Sequence, residues 1–354
     1  MRLLIIGGTG FIGRHLVPRL IAAGHEVAVV RRSDEAVLPA GARPIQADRR
    51  ELPRHGAALR AFAPDVVVDL ILSSGRQAAD LVTLFAGCAQ RVVGITSADV
   101  YRATAVLHGF DTGALEPLPL TEDSPLRQAA QTYPASQMEM LKRVFGWLDD
   151  EYDKVAVESA LRGRADLPAT ILRLPMIYGP GDQLHRLHPI IKRVDDGRPA
   201  IYFADAVAAW RGPRGYVENA AAAIAVAATS ERAAGRTYNV AERPSFSELE
   251  WTRQVTESMG WKGELVVLPM ADAPPHLHLP VRLEQHWIVD SSRIRSELGY
   301  EEPIPLPEAL ARTIHWERKN PPPVNPAAFD YAAEDAAGRV VERGGVDGVP
   351  ARSP

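Results

Sequence analysis

The chain has 354 residues, a hydrophobic content of 46% and a formal net charge of −4. This length allows one large domain or two intimate ones, with enough apolar residues for a core. The charge argues against a bulk nucleic-acid-binding protein, which usually presents a basic domain or stripe. The single cysteine, Cys88, excludes an intramolecular disulfide framework and a multi-cysteine metal site. We find no membrane-spanning segment and no secretion signal, and therefore expect a cytoplasmic protein.

Apolar segments of strand length alternate with amphipathic helical segments through the first 175 residues. The predicted strands cover residues 3–6, 26–30, 66–72, 91–96 and 169–174. Their continuous Val, Ile and Leu content is typical of a parallel sheet that is covered on both faces. We therefore predict an α/β fold, a Rossmann-type doubly wound parallel sheet with a smaller C-terminal substrate-binding lobe.

The predicted domain boundaries follow changes in this pattern. The dinucleotide-binding domain covers residues 1–175, with return segments near 212–245, and the lobe covers 176–211 and 246–319. From residue 320 onward Pro, Ala, Gly and Glu dominate, with few large apolar residues. Such a composition favours a flexible tail, so residues 320–354 are predicted to be disordered or laid along the surface.

A glycine-rich loop lies between the first predicted strand and the helix predicted over residues 12–23. Gly7, Gly10 and Gly13 follow the spacing G-x-x-G-x-x-G, with Phe11 and Ile12 in the same turn. The first glycine permits a tight turn, the second lets the backbone approach a pyrophosphate, and the third allows close helix–strand packing. The helix N-terminus then offers free N–H groups to phosphate, which together predict a dinucleotide-binding site.

The end of the second predicted strand indicates which dinucleotide binds. An acidic residue there would hydrogen-bond the ribose 2′-hydroxyl of NAD, but this chain carries Arg31, Arg32 and Ser33. Two guanidinium groups and a hydroxyl suit a 2′-phosphate, so we expect NADP rather than NAD. The alternative is a pair of solvated arginines at a strand end. A further strand, the third in chain order, is predicted to end at Gln46-Ala47-Asp48, where Asp48 could accept a hydrogen bond from the adenine amino group.

Further motifs occur in a fixed order along the chain, at residues 95–101, 120–127, 171–181, 214–219, 237–240 and 290–300. Together with the glycine loop they resemble the extended short-chain dehydrogenase/reductase family, the NAD(P)-dependent epimerase/dehydratase group, over about residues 1–318. The resemblance implies that Ser97 helps to bind the substrate oxygen. It also places Leu70 near the pyrophosphate, where relatives have smaller residues. Met176 stands where sugar-nucleotide enzymes commonly carry a substrate-binding Asn.

The catalytic pair of this family is Tyr-x-x-x-Lys on one helix, and the chain contains two incomplete versions of it. Tyr133 is followed four residues later by Gln137, and Tyr152 precedes Lys154 by two residues rather than four. We interpret residues 133–150 as an insertion and assign Lys154 to the nicotinamide ribose. Tyr152 is the first candidate for the acid/base and Tyr133 the second. Tyr152 and Lys154 converge only if Tyr152 precedes the first helical turn. The other reading is that neither tyrosine acts.

Candidate substrate-binding residues lie beyond residue 175. The resemblance implies that Arg214 and Tyr216 meet the substrate, since an arginine at this position meets the diphosphate in sugar-nucleotide relatives. Arg186 follows a Gly-Pro-Gly loop and could bind a phosphate or carboxylate. His185 and His188 have helical spacing, but no third ligand is evident, and we predict no metal.

Two functions are consistent with these residues. The first is a nicotinamide-dependent epimerase, dehydratase or reductase that transfers hydride to or from a sugar, a nucleotide-sugar or another small carbonyl or hydroxyl compound. The second is a catalytically silent NADP-binding relative, a sensor or an RNA-binding-like protein, which the substituted Gln137 and the displaced Tyr152 suggest. No basic stripe with exposed aromatics favours RNA. Relatives commonly dimerise, so the resemblance also implies a homodimer.

Overall fold

The computed structural model describes residues 1–32, 37–130 and 132–346, with side chains through residue 339. Ser33, one of the residues predicted near a 2′-phosphate, lies outside the described residues. The strands are β1 (Arg2–Ile6), β2 (Glu26–Arg31), β3 (Ala42–Gln46), β4 (Val66–Asp69), β5 (Arg91–Ser97), β6 (Ala169–Leu174), β7 (Met176–Tyr178), β8 (Ala200–Ala204), β9 (Arg214–Tyr216), β10 (Thr237–Asn239) and β11 (Glu264–Leu268).

The α-helices differ widely in length. They are α1 (Gly13–Ala22), α2 (Gly56–Ala61), α3 (Gly75–Phe85), α4 (Arg102–Leu107), α5 (Ala135–Val144), α6 (Lys154–Arg162), α7 (His188–Asp195), α8 (Asp205–Ala209), α9 (Val217–Thr229), α10 (Glu248–Ser258), α11 (Ser292–Leu298), α12 (Leu306–Lys319) and α13 (Tyr331–Val346). Among the described residues, none of these helices is both long and apolar enough to cross a membrane.

The central sheet has the strand order β10-β6-β5-β4-β1-β2-β3 across the described ranges, and every pairing in it is parallel. The strands β4 and β6 are buried along their whole length because helices cover both faces. The order reverses between β1 and β4, so the crossovers lead in opposite directions and leave a crevice at the carboxyl ends of these strands. The predicted Rossmann-type doubly wound fold is confirmed.

Two smaller parallel pairs, β7 with β9 and β8 with β11, lie outside the central sheet. The segment from β7 to α8 and the segment from α10 to α12 contribute to this part of the molecule. The β7–β9 pair begins two residues after β6 ends, which brings the start of this smaller part to the same edge as the crevice.

The C-terminal segment departs from the sequence prediction. The composition predicts a flexible tail over residues 320–354, yet Tyr331–Val346 form α13. The Glu334 carboxylate is fully buried and accepts a hydrogen bond from Arg193 Nη2 at 2.7 Å, with His276 Nε2 3.0 Å away. Asp335 pairs with Arg198. Two ion pairs, the first of them buried, therefore hold this helix against the rest of the chain, and composition alone does not reveal them.

Candidate active site

A cavity of about 560 Å³ lies at the carboxyl ends of the central strands, where the strand order reverses. Its walls bring together most of the residues that the sequence singles out. The predicted residues that line it are Gly7, Gly10, Phe11, Ile12, Gly13, Arg31, Arg32, Asp48, Leu70, Ser97, Tyr133, Tyr152, Lys154 and Arg186. One continuous cavity therefore joins the glycine loop at one end to the candidate tyrosines at the other.

The glycine loop has the geometry of a phosphate cradle. Gly7 has a φ of +83°, and its carbonyl accepts a hydrogen bond from Gly10 N at 3.0 Å, which closes the turn. A Cβ on Gly13 would lie 2.4 Å from Gly7 O and 2.5 Å from Gly8 Cα, so this position admits only glycine without a backbone shift. The first turn of α1 contains no acidic residue, so the positive end of the helix dipole faces the cavity without a carboxylate beside it. These residues fit a dinucleotide pyrophosphate.

The glycine-loop end of the cavity also carries positively charged side chains. Arg31 and Arg32 at the end of β2 line the cavity together with Asp48 and Arg50. Asp48 accepts hydrogen bonds from Arg50 Nη2 at 2.9 Å and Nε at 3.3 Å. The Arg50 hydrogen bond is the main reason that the pKa of Asp48 is lowered, with a smaller contribution from Arg32. The Asp48 carboxylate is thus already paired.

Arg49 is a further cavity residue that the sequence reasoning missed. Its guanidinium is buried, lies 2.7 Å from the Asp69 carboxylate and donates to Gln77 O at 2.9 Å. The signal was present in the sequence, since two arginines follow Asp48 directly at the end of a strand. Among the described residues, Arg31, Arg32, Arg49 and Arg50 thus bring their guanidinium groups to this end of the cavity, together with the Asp48 and Asp69 carboxylates.

At the other end of the cavity, Lys154 is buried as the first residue of α6. Its ammonium donates to Leu72 O and, at 3.4 Å, to Ile95 O. Burial lowers the pKa of Lys154 to about 8. Tyr152 lies before the helix, because Asp153 is extended and caps α6 by accepting from Val155 N at 2.9 Å. The Lys154 Nζ is 5.6 Å from the centroid of the Tyr152 ring, so the two side chains converge despite their short spacing.

The two candidate tyrosines meet at one carboxylate, that of Asp99. The hydroxyl of Tyr152 donates to Asp99 Oδ2 at 2.7 Å, and that of Tyr133 donates to the same oxygen at 3.1 Å. Asp99 is fully buried, and its Oδ1 has no hydrogen-bond partner among the described residues. Burial is the main cause of the raised pKa values of both tyrosines, and the Asp99 charge raises them further.

The sequence reasoning also missed Asp99, although it lies inside the motif at residues 95–101. Ser97 ends β5 and accepts a hydrogen bond from Asp99 N at 3.2 Å, which caps the short 3-10 helix Ala98–Val100. One turn therefore presents the Ser97 hydroxyl and the Asp99 carboxylate to the same cavity. An acidic residue two positions after the candidate serine, at the end of a buried strand, is the signal that could have identified it.

The residues between α5 and α6, numbers 145–153, form a strap over the tyrosine end of the cavity. Asp149 accepts hydrogen bonds from Ser73 Oγ at 3.0 Å and from Ser74 Oγ at 2.6 Å, just after β4. Within the strap, the Trp147 ring centroid is 5.4 Å from Lys154 Nζ, and Trp147 lines the cavity. The strap thus closes over the same lysine that the sequence assigns to the nicotinamide ribose.

Three predicted substrate-binding residues lie outside the lining of this cavity. Arg214 is paired with Glu248 and lies over Trp251 at 4.8 Å, facing a separate cavity of about 190 Å³. Tyr216 is buried and donates to Glu218 Oε1 at 2.9 Å. Met176 packs against a hydrophobic cluster. The structure therefore does not bring Met176, Arg214 and Tyr216 to the tyrosines, because neighbouring side chains already bind or enclose them.

The remaining predicted polar residues are also partnered. Arg186 lines the main cavity, but it donates to Asp182 Oδ1 at 2.7 Å and to Ile177 O at 2.8 Å. His185 Nδ1 lies 2.7 Å from Glu317 Oε2. Over the described ranges, no three His, Cys, Asp or Glu residues are grouped to hold a metal ion.

Comparison with known proteins gives the family. The profile of the NAD dependent epimerase/dehydratase family matches residues 3–241, and the chain belongs to this family. It is similar to 2′-dehydrokanamycin reductase of Streptomyces kanamyceticus, with 28% identity over 301 residues, which cover 83% of this chain and 75% of that protein. It is also similar to dTDP-glucose 4,6-dehydratase of Streptomyces griseus, with 26% identity over 345 residues, which cover 90% of this chain and 94% of that protein.

Among solved structures, MoeE5 in complex with UDP-glucose and NAD aligns with a TM-score of 0.62 and 20% identity. The alignment covers 90% of this chain and 99% of MoeE5. This similarity agrees with the doubly wound fold described above. Membership of the family implies a nicotinamide dinucleotide as the cofactor, in agreement with the glycine loop.

Proposed function

We propose that this chain is an NADP-dependent oxidoreductase that reduces the carbonyl group of a small molecule. The observation that carries the proposal is the cluster of Ser97, Tyr133 and Tyr152 around Asp99, in the same cavity as the glycine loop. One of the relatives is named as a reductase. The homodimer that the resemblance implies and the expected cytoplasmic location stay predictions, and sedimentation of the purified protein would check the former.

The cofactor would lie along the cavity, with its pyrophosphate at the glycine loop and its 2′-phosphate near Arg31 and Arg32. Arg50 partly neutralises Asp48, which reduces the repulsion between that carboxylate and a phosphate. Lys154 would bind the nicotinamide ribose. The bound cofactor supplies the hydride, and the protein supplies the proton and the orientation.

The protonated tyrosines are suited to the reduction of a carbonyl group. Tyr152 holds its proton at physiological pH, because its ordinary pKa is already high and burial and Asp99 raise it further, and it can donate this proton to an oxygen that gains negative charge. As the carbonyl carbon gains hydride, the carbonyl oxygen takes the Tyr152 proton and becomes a hydroxyl. Lys154 is charged below its pKa of about 8 and offsets the negative charge left on the phenolate. The Ser97 hydroxyl orients the carbonyl oxygen.

The test is loss of NADPH absorbance with a panel of carbonyl compounds. Tyr152→Phe should lower kcat by about 100-fold to 10,000-fold, since general acid catalysis contributes that much. Tyr133→Phe is the matched variant, because it removes the second hydroxyl on the same carboxylate oxygen, and we expect a smaller loss. Full activity in Tyr152→Phe would contradict this assignment. Tight NADPH binding without turnover on any carbonyl would support the silent NADP-binding alternative.

Cofactor preference is tested separately. Arg31→Ala and Arg32→Ala should each raise the Kd for NADPH by about tenfold or more and leave the Kd for NADH nearly unchanged, because the lost contacts are charge-assisted hydrogen bonds to phosphate. Arg54→Ala is the control, since Arg54 is largely exposed and pairs only with Glu51 in the described chain. Equal losses for both cofactors would contradict recognition of a 2′-phosphate.

A further inference from the structure

The tyrosine end of the cavity has a wall made of apolar side chains. Its members all line the cavity and all keep part of their surface exposed; they are Leu141, Val144, Phe145, Trp147 and Leu148, referred to below as the apolar wall. Every residue of α5 keeps some exposed surface, so the apolar side of this helix is not part of a packed core. Partly exposed apolar surface inside a cavity marks a site for an apolar ligand.

The wall is held in position by polar contacts on either side of it. Phe145 N donates to Leu141 O at 2.7 Å and Leu148 N donates to Phe145 O at 3.0 Å, which fixes the turn after α5. Directly after the wall, Asp149 accepts the two serine hydroxyls that follow β4. These hydrogen bonds fix the backbone that carries the apolar side chains.

Polar groups at the tyrosine end of the cavity are concentrated around Asp99. Ser97, Tyr133 and Tyr152 together suit one carbonyl oxygen and its immediate surroundings. A sugar nucleotide would bring several hydroxyls and two phosphate charges against the apolar wall, where they would lose hydrogen bonds to water without replacement.

The guanidinium groups near the tyrosines offer little to a diphosphate. Arg186, which lines the cavity, is paired with Asp182, and the buried Arg127 is paired with Asp153. A phosphate-bearing substrate would therefore have to displace an existing ion pair before it gained one.

We infer that the substrate is a phosphate-free carbonyl compound whose body is apolar, with its carbonyl at Ser97 and Tyr152 and its body against the apolar wall. This inference rests on the proposed carbonyl reduction and names the substrate class for the same site. Trp147 lies beside Lys154 and contacts the cofactor side, whereas Leu141, on α5, contacts the substrate body.

Two aldehydes and one sugar nucleotide test the substrate class. Cinnamaldehyde and glyceraldehyde present the same reactive group on an apolar and a polar body, and UDP-glucose with NADP⁺ tests the nucleotide sugar. We expect kcat/KM for cinnamaldehyde to exceed that for glyceraldehyde by about 100-fold, the equivalent of burying an aromatic body. Preference for glyceraldehyde, or turnover of UDP-glucose alone, would overturn the inference.

Leu141→Ser and Met140→Ser form a matched pair on α5. Leu141 lines the cavity, whereas Met140 is 41% exposed and is outside its lining. Leu141→Ser should raise KM for cinnamaldehyde by about tenfold and leave the Kd for NADPH unchanged. Met140→Ser should change neither. A rise in the Kd for NADPH with no change in KM would assign the wall to the cofactor and overturn the inference.

Failure of this inference is distinguishable from failure of the proposed function. If NADPH binds but cinnamaldehyde neither reacts nor binds by calorimetry to the NADP⁺-loaded protein, the substrate class is wrong and the cofactor site stands. If neither NADPH nor NADH binds, the proposed function fails. Calorimetry of cinnamaldehyde with wild type and Leu141→Ser then decides the inference: binding weakened by the substitution supports an apolar site, and no binding overturns it.

Discussion

The two ends of the main cavity are built in different ways. The glycine-loop end is formed by the segments that follow β1, β2 and β3, which are neighbours along the chain, and it presents backbone N–H groups and guanidinium charges. The tyrosine end joins Ser97, Asp99, Tyr133 and Lys154 from β5, two loops and α6. The first end is a tight backbone turn that we propose holds the cofactor phosphates, whereas the second is a hydrogen-bonded cluster whose proposed function depends on where its protons lie. Substitutions should therefore affect binding at one end and proton transfer at the other.

Gly13→Ala should have the largest effect. The new Cβ would lie 2.4 Å from Gly7 O and 2.5 Å from Gly8 Cα, so the backbone must move. We expect the free energy of unfolding to fall by about 1–3 kcal/mol or more, and NADPH binding to disappear. Gly10→Ala is the graded control in the same loop, since its Cβ would meet only Gly7 O at 3.2 Å.

Denaturation and calorimetry separate these two glycines. Gly10→Ala should weaken NADPH binding while the free energy of unfolding stays close to that of wild type, because the new methyl group intrudes on the pyrophosphate rather than on the backbone. If Gly10→Ala bound NADPH as wild type does, the loop would not be the phosphate cradle described here.

At the tyrosine end, Lys154→Met should change how stability depends on pH. The folded pKa of Lys154 is about 8 against an ordinary value of 10.5, so the unfolded chain binds more protons than the folded chain between these values. The Lys154 contribution therefore makes the free energy of unfolding rise with pH, by about 3 kcal/mol across this window. Lys154→Met should lack this rise. Urea unfolding of the wild-type and Lys154→Met proteins at pH 7 and pH 10 measures this rise. If the free energy of unfolding changed with pH by the same amount in both proteins, the lowered pKa of Lys154 would be contradicted.

Asp99→Asn tests the proton chemistry of the same end. It keeps the shape of the side chain but removes the charge that, after burial, contributes most to the raised pKa of Tyr152. Titration of tyrosine absorbance should show a phenol that ionises at lower pH than in wild type, and kcat should fall by about 100-fold, because a neutral amide oxygen accepts the two tyrosine hydroxyls more weakly than a carboxylate and orients them less firmly. An unchanged tyrosine titration together with unchanged kcat would mean that Asp99 neither tunes nor orients the tyrosines.

This contrast also explains how much of the site could be predicted from sequence. The glycine loop, Arg31 and Arg32 lie at the ends of the apolar strands β1 and β2, so the pattern that predicts these strands also places the residues in the cavity. Asp99 lies at the end of a buried strand as well, but its role depends on Tyr133 and Tyr152, which approach it from distant loops. Arg214 lies outside the cavity because Glu248, on a separate helix, pairs with it. Long-range pairing of this kind leaves no periodic trace in a single sequence.

Substitutions in the strap should have the smallest of these effects, and they test directly how the tyrosine end of the cavity is held in place. Asp149 accepts hydrogen bonds from Ser73 and Ser74, whereas its neighbour Asp150 is exposed and pairs with Lys142. Asp149→Ala leaves two buried hydroxyls without their acceptor and should lower the free energy of unfolding by about 1–2 kcal/mol. It should also raise KM, since the strap carries part of the apolar wall. Asp150→Ala should stay within about 0.5 kcal/mol of wild type. Equal effects of the two substitutions would mean that the strap is not anchored through Asp149, and the tyrosine end would then depend on Asp153 and its ion pair with Arg127 for its order.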